Sequence, residues 1–419
     1  MSNTALTADI IAAEAALMLE NELGILSTFH RAHEEEYNNS VNGYKVGDTI
    51  SIRRPADFTI RTGATASSQD VIEGKIPLVI NKQAGVDFQF TSSELTLKID
   101  KLSERVIKPA MSTIVNEIAR DCLSAFYQKT YNWVGTPGST INSFADFAYG
   151  PERMDKMAIP MSDRYAALSP SDSWGMLGSQ TALFIQGAAN DAYRQGKLGP
   201  IGGVDTLMSQ VIPTHTVGPL GGTPLVNGAS QNVTYDTAKN TWTQSLITDG
   251  WTAAAASRLK AGDIFTLYAA GTSGARVKMV NPKTKQATDV DQQFVVISDV
   301  SSDGSGNATL TISPPIITSG PHQTVNVVPA DSAGLTVLGT ASTGYVQNLF
   351  YHKNAFALAM VPMEMPAAAY GGSRKSYKGV SVRVIPTYDG TNDISKWRLD
   401  VLYGREAIDP RLAVRASGT

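Results

Sequence analysis

The chain has 419 residues, more than one ordinary core accommodates, so two or more folding units are expected. Charged residues make up only 17% and the formal net charge is -3, which excludes a dedicated nucleic-acid clamp with its excess of phosphate-neutralising cations. Cys122 is the single cysteine and excludes an intrachain disulfide; no uncharged apolar run is long enough to span a bilayer, and the acidic residues Asp9, Glu14, Glu20 and Glu22 speak against a secretory signal.

Residues 5–23 predict an amphipathic helix, with Leu6, Ile10, Ala13 and Leu17 at helical spacing. Its stripe needs a partner, either its own domain or a neighbouring subunit along which it lies as an arm. Residues 44–61 predict strand, carried by Val46, Ile50, Ile52 and Phe58 and broken by Gly47, Asp48 and Pro55. A small, polar stretch follows at 63–70, and strand character returns at 76–80 and 86–90, so a long hairpin is expected. Within its 53–76 part, Arg53, Arg54, Arg61, Glu73 and Lys75 are candidates for contact with a neighbouring subunit. The plainer alternative is a solvated hairpin whose ion pairs contribute little.

Thr91-Ser92-Ser93-Glu94 matches a capping box, and Pro109 suits the first turn of a helix. Met111, Ile114, Ile118, Cys122 and Ala125 form the strongest helical stripe of the chain, ended by Gly135-Thr136-Pro137-Gly138. Residues 144–221 alternate short helices and strands, with a strand at 164–169 and a glycine-rich loop at 196–203. Composition then shifts towards Thr, Val, Gly, Asn and Asp over 222–342. Strands expected at 232–235, 264–268, 294–298, 308–312 and 324–328 give a small antiparallel barrel, able to fold on its own. Inside it, Tyr235 to Trp242 reads as a hairpin with Asp236 and Lys239 near its tip. Over 345–419, Val380, Val382, Val384, Trp397, Leu399 and Val401 alternate with polar residues, as in longer strands. The fold class is α+β, with a β domain inserted between two parts of one domain.

Catalytic constellations are not found. There is no G-x-S-x-G elbow, and Gly196-Lys197-Leu198 lacks the spacing and hydroxyl of a phosphate-binding loop. His30, His33 and Glu34 to Glu36 could in principle meet a metal, but a solvated polar stretch explains them without a third ligand group. His215, His322 and His352 are isolated, and Asp289 and Asp291 sit in surroundings that read as an exposed loop. No catalytic, cofactor-binding or metal residue is assigned, and the chain is not expected to be an enzyme.

Four segments carry a resemblance. They are Gly47-Asp48-Thr49-Ile50-Ser51-Ile52-Arg53-Arg54-Pro55 with Phe88-Gln89-Phe90-Thr91, then Ile107-Lys108-Pro109-Ala110. Gly202-Gly203-Val204-Asp205 with Pro213-Thr214-His215-Thr216 follows, then Leu259-Lys260-Ala261-Gly262-Asp263 with Val280-Asn281-Pro282-Lys283-Thr284-Lys285. In this order the segments resemble the coat proteins of tailed bacteriophages, most nearly the P22-type coat family. The resemblance implies the HK97 capsid fold: an N-terminal arm at 1–43, an extended-loop hairpin at 44–90 and a peripheral domain at 91–163, whose spine helix lies near 109–133. An axial domain at 164–221, an inserted β-barrel at 222–342 and a second axial and peripheral part at 345–419 complete it. The implied function is a major capsid protein forming hexamers and pentamers of an icosahedral head in the virion, assembled in the host bacterial cytoplasm. The implied partners are copies of itself, a scaffolding protein, a portal, enclosed double-stranded DNA and a decoration protein where one is used; no cofactor and no membrane are implied. The position of Asp236 and Lys239 resembles that of the family's loop across a two-fold axis, where a self-complementary patch is required. An encapsulin-like cargo shell and a β-rich tail or adhesin protein are the alternatives; the coat segments and the inserted barrel argue against the first, the long helix against the second.

Overall fold

The computed structural model describes residues 11–19, 23–32, 40–41, 44–45, 49–66, 68–91, 103–180, 199–366, 371–377 and 380–419. Ser92 to Glu94 of the expected capping box, the stretch from His33 to Glu36 and the loop around Lys197 lie outside these residues. The chain divides into two units, each assembled from stretches distant in sequence.

The first unit joins residues 1–51, 77–122 and 356–406. Its sheet runs in the order Ser373–Tyr377, Val380–Asp389, Ile394–Ala407, Lys75–Thr91, Thr49–Arg53, with Phe356–Val361 also paired to Ile394–Ala407. Alternation sets its buried face: Val380, Val382, Val384, Leu399 and Val401 are fully buried, with Val384 opposite Leu399 and Leu399 opposite Val86. The two strands expected at 76–80 and 86–90 are one 17-residue strand, Lys75–Thr91. Its polar middle stays extended because the ladder to Ile394–Ala407 runs unbroken from Thr91 to Lys82. Gly85 permits this, since a Cβ there would lie 2.6 Å from the Leu399 carbonyl oxygen.

The helix Lys108–Lys129 buries Met111, Ile114, Ile118 and Cys122 as its stripe predicts, and Phe126 extends the stripe where Ala125 was expected. It ends before the anticipated residue 133: the Thr130 N–H makes a last helical bond to the Phe126 carbonyl at 3.1 Å, and the Thr130 hydroxyl caps the same carbonyl at 2.9 Å. Asp121 on this helix accepts two bonds from Arg405, at 2.6 and 2.7 Å, and a third from the Tyr403 hydroxyl at 3.1 Å. Burial pushes the Asp121 carboxyl up, but Arg405 and Tyr403 outweigh it and hold the group below the usual carboxylate range. Residues 11–19 are helical, but the buried face is Ile11, Ala12, Ala15, Ala16 and Leu19; Leu17 is 46% exposed, so the predicted stripe through Ala13 and Leu17 is on the wrong face.

The second unit joins residues 52–76, 123–355 and 407–419 and holds two six-stranded sheets. One runs Trp133–Val134, Ala413–Ala416, Asn348–His352, Arg164–Leu168, Val204–Met208, Pro200–Ile201. The other is the expected barrel, in the order Leu225–Val226, Gln244–Asp249, Ala308–Ser313, Gln293–Val296, Ile264–Leu267, Leu335–Val337. Its ends meet: Leu225 bridges Gly334, and the Val226 N–H donates to the Ala333 carbonyl at 2.8 Å, leaving the sheet nearly closed. Residues 232–235 and 324–328 are not strands. The first run leads into a helical turn, and the second makes only an isolated bridge from Val325 to Met279.

Two barrel strands are buried on both sides. Phe265, Leu267, Phe294 and Val296 point into the barrel, whereas Ile264 and Val295 belong to the core of the other sheet, with Trp133, Phe350 and Val414. Gln293 fixes the junction: its side-chain amide accepts from the Trp133 N–H at 2.6 Å and donates to the Trp133 carbonyl at 2.8 Å.

Candidate assembly surface

The hairpin residues frame a long excursion that leaves the strand Thr49–Arg53 and returns at Lys75. Its stem is tied by the Arg54 N–H, which donates to the Gly74 carbonyl at 2.9 Å, and by an Arg53–Glu73 ion pair at 3.4 Å. Between them the chain is irregular. Gln69 bonds the backbone and hydroxyl of Thr59 at 2.7 to 2.9 Å, and Arg61 donates to the carbonyls of Gly63 and Thr65. The excursion is therefore organised by side chain to backbone bonds and not by a strand ladder. Its exposed surface mixes polar residues such as Arg61, Thr62 and Asp70 with three large apolar ones: Phe58 is 56%, Val71 63% and Ile60 86% exposed.

Arg54 requires a correction. It is only 5% exposed, its Nε donates to the Ile408 carbonyl at 3.1 Å, and its guanidinium lies 5.3 Å from the Trp242 ring centre. Its first duty is inside its own chain, because the tertiary fold wraps Trp242 and Ile408 around it.

The segment from Tyr235 to Trp242 is also corrected. It is a helical turn, Tyr235–Ala238, and not a hairpin, because the Trp242 and Thr241 N–H groups bond back to the Ala238 carbonyl. Asp236 and Lys239 are both at the surface and pair with each other at 2.7 Å, as i and i+3 do on a helix. This turn seats the excursion's stem: a Cβ on Gly74 would overlap the Lys239 carbonyl oxygen, and the Lys75 N–H donates to Asn240 Oδ1 at 3.1 Å. The structure thus gathers Arg53, Arg54, Glu73 and Lys75 around the stem, with the Asp236–Lys239 turn against it, and leaves Arg61 out on the excursion.

Beneath them lies a cluster that sequence reasoning missed. Arg411 donates to Asp57 at 2.7 Å and to Asp409 at 2.8 Å, and its guanidinium lies 5.2 Å from the centre of the Trp242 ring. His322 stacks on Tyr235, with ring centres 3.5 Å apart, and its Nδ1 is 3.4 Å from Asp57. Burial drives the His322 pKa down to about 4 from the usual 6.5; Asp57 opposes this, while Arg411 and Lys285 reinforce it. Burial alone would raise the Asp409 carboxyl, but the charge and hydrogen bonds of Arg411, with Arg54 nearby, leave it lowered. The one local signal in the sequence was Asp409-Pro410-Arg411, in which Asp409 caps a short 3-10 turn. His215, isolated in sequence, is in the structure bonded to Asp263 at 2.8 Å, from within the strand Thr214–Thr216.

The comparisons with known proteins cover nearly the whole chain. A family model described as P22 coat protein, gene protein 5, matches residues 29–418. A major capsid protein of Acyrthosiphon pisum secondary endosymbiont phage 1 is 23% identical over 381 residues, covering 87% of this chain and 88% of that protein. Among solved structures, one of Mycobacterium phage Che8 is 10% identical with a TM-score of 0.47, covering 93% of this chain and 89% of that one. The mature capsid of bacteriophage PhiM1 is 12% identical with a TM-score of 0.40, covering 88% and 82%. A match that begins at residue 29 and runs to residue 418 takes in both units, the excursion and the barrel, and by it the chain belongs to the P22 coat protein family.

Proposed function

We propose that the chain is the shell-forming major capsid protein of a tailed-phage head, with an HK97-like fold, and that it acts by self-association and not by catalysis. The observation that carries this is the family match over residues 29–418. The excursion offers a physical means, since Phe58, Ile60 and Val71, exposed on it, gain by leaving water against another copy. In this reading residues 1–43 serve as the arm, 44–90 as the extended loop, 91–163 as the peripheral domain and 164–221 as the axial domain. The barrel at 222–342 is the inserted domain, and 345–419 closes the axial and peripheral parts. A scaffolding protein, a portal and enclosed double-stranded DNA complete the assembly. In this reading Arg53, Arg61, Glu73 and Lys75 contact the neighbour that receives the excursion, and Asp236 with Lys239 exchange partners with their own copies across a two-fold axis.

Electron microscopy of the purified protein, alone and with a scaffolding partner, tests the reading; closed shells or capsomers are expected, and a stable monomer under both conditions rejects it. Charge reversal tests the two-fold pair. Asp236→Lys should give aberrant shells or tubes and the added Lys239→Asp should restore normal ones, although a surface pair contributes no more than ~1 kcal/mol per contact. Normal assembly by the single variant, or failure of the double to rescue, removes these residues from the interface.

A further inference from the structure

The second unit has a cleft of about 280 Å3 between the helix Phe144–Lys156 and the barrel. Tyr149, Glu152, Arg153 and Lys156 line it from one face of the helix, and Trp133, Val290 and Leu338 supply apolar wall. Glu152, Arg153 and Lys156 are its charged lining, and Asp289, Asp291, Lys278 and Arg276 extend the charge network beyond it. Lys156 holds Glu152 and Asp289, each at 2.9 Å, and Asp291 is shared by Lys278 at 2.6 Å and Arg276 at 3.8 Å. Every carboxylate of the group is thus taken. Arg153 stands apart: among the described residues no carboxylate lies within 4.0 Å of it, and the one hydrogen bond of its guanidinium, to Asn132 Oδ1, is 3.5 Å long. Burial lowers the Arg153 pKa, with Glu152 and Asp289 opposing, so the guanidinium has lost water without gaining a close partner.

From this geometry we propose that the cleft is a receptor for one carboxylate side chain, an Asp or Glu of a second copy of this chain, which forks onto Arg153 and lays its stem along the apolar wall. A guanidinium presents paired donors that match a carboxylate, and apolar walls strengthen the pair by excluding water. The arriving carboxylate gives the Arg153 guanidinium the close anionic partner it lacks among the described residues. A second copy is favoured because, on the shell-forming reading on which this occupant depends, the chain packs against its own copies throughout the shell.

The test begins with the unassembled full-length protein, titrated by NMR with 3-phenylpropionate and with the neutral 3-phenylpropionamide. The acid should bind at least about tenfold more tightly than the amide, Arg153→Gln should abolish the difference and Arg153→Lys should retain part of it. Equal binding of acid and amide, or no binding of either, overturns the receptor. The occupant is tested by assembly: Arg153→Gln with an unchanged melting temperature should assemble more slowly than wild type in the absence of any other protein. Wild-type assembly kinetics in that variant overturn the second copy as donor and point to a separate assembly protein. Failure of the wild-type chain to assemble at all would count against the shell reading, while the titration still decides whether the cleft takes a carboxylate.

Discussion

Acid should loosen the seat of the excursion through one imidazole. His322 is almost fully buried against Tyr235 and its pKa is held near 4, whereas in the unfolded chain it returns to the usual 6.5. Below pH 6.5 the unfolded state therefore binds a proton that the folded state refuses. The stability contributed by neutral His322 is complete above that value and is lost progressively as pH falls towards 4. Between about pH 7.5 and about pH 5 the loss is ~2 kcal/mol, from ~1.4 kcal/mol for each unit of pKa difference traversed. That corresponds to a fall in melting temperature of roughly 4 °C for a unit of this size. Urea unfolding followed by tryptophan fluorescence is a suitable assay, because Trp242 belongs to the same cluster. His352 is also lowered by burial and adds to the wild-type slope, so the informative quantity is the difference between wild type and His322→Phe, which keeps a ring on Tyr235 and removes the titration. Asp409, held below the carboxylate range, responds only at lower pH. If His322→Phe retains the full dependence between pH 7.5 and 5, or if the wild type shows none, the depressed imidazole is not the source.

Two further substitutions probe the ties described above. Gly74→Ala places a Cβ onto the Lys239 carbonyl oxygen, so the stem must move off the turn; hydrogen exchange of the Lys75 and Arg54 amides should quicken several-fold, and unchanged exchange would show that the backbones do not meet there. Asp121→Asn leaves Arg405, about one-fifth exposed, without its carboxylate, and should lower stability to urea by about 2 kcal/mol, below the range for fully buried pairs because water reaches the site; a change under about 0.5 kcal/mol would show that the pair contributes little.

What the sequence disclosed depended on whether apolar side chains alone defined an element. The helix Lys108–Lys129 and the strands at 264–267, 293–296 and 308–313 were visible because hydrophobic periodicity marks their buried faces. The strand Gln244–Asp249 was missed because two of its inward residues are polar. Gln244 accepts from the Ile316 N–H at 2.6 Å, and the Thr248 hydroxyl donates to the Ala308 carbonyl at 2.9 Å. The run 324–328 misled for the converse reason: Thr324 and Val325 are buried, but the Thr324 hydroxyl bonds Pro315 and closes a loop. Tyr235 to Trp242 has aromatic residues at both ends, which suited a hairpin, yet the rings meet edge to face across a helical turn. The cluster of Asp57, His322, Asp409 and Arg411 had no periodic or spacing signature, because its members come from three separated stretches joined only by folding.

The strand Ile264–Leu267 has a further meaning for how freely this chain can drift. Adjacent codons there answer to different interiors, Ile264 to the sheet with Trp133 and Phe265 to the barrel, so neither parity of position is released from selection. In Gln244–Asp249, by contrast, Ser245 and Ile247 face outward and can vary at little cost. Saturation mutagenesis should therefore read out the two strands in different rhythms: nearly uniform intolerance along the first, and alternating tolerance along the second.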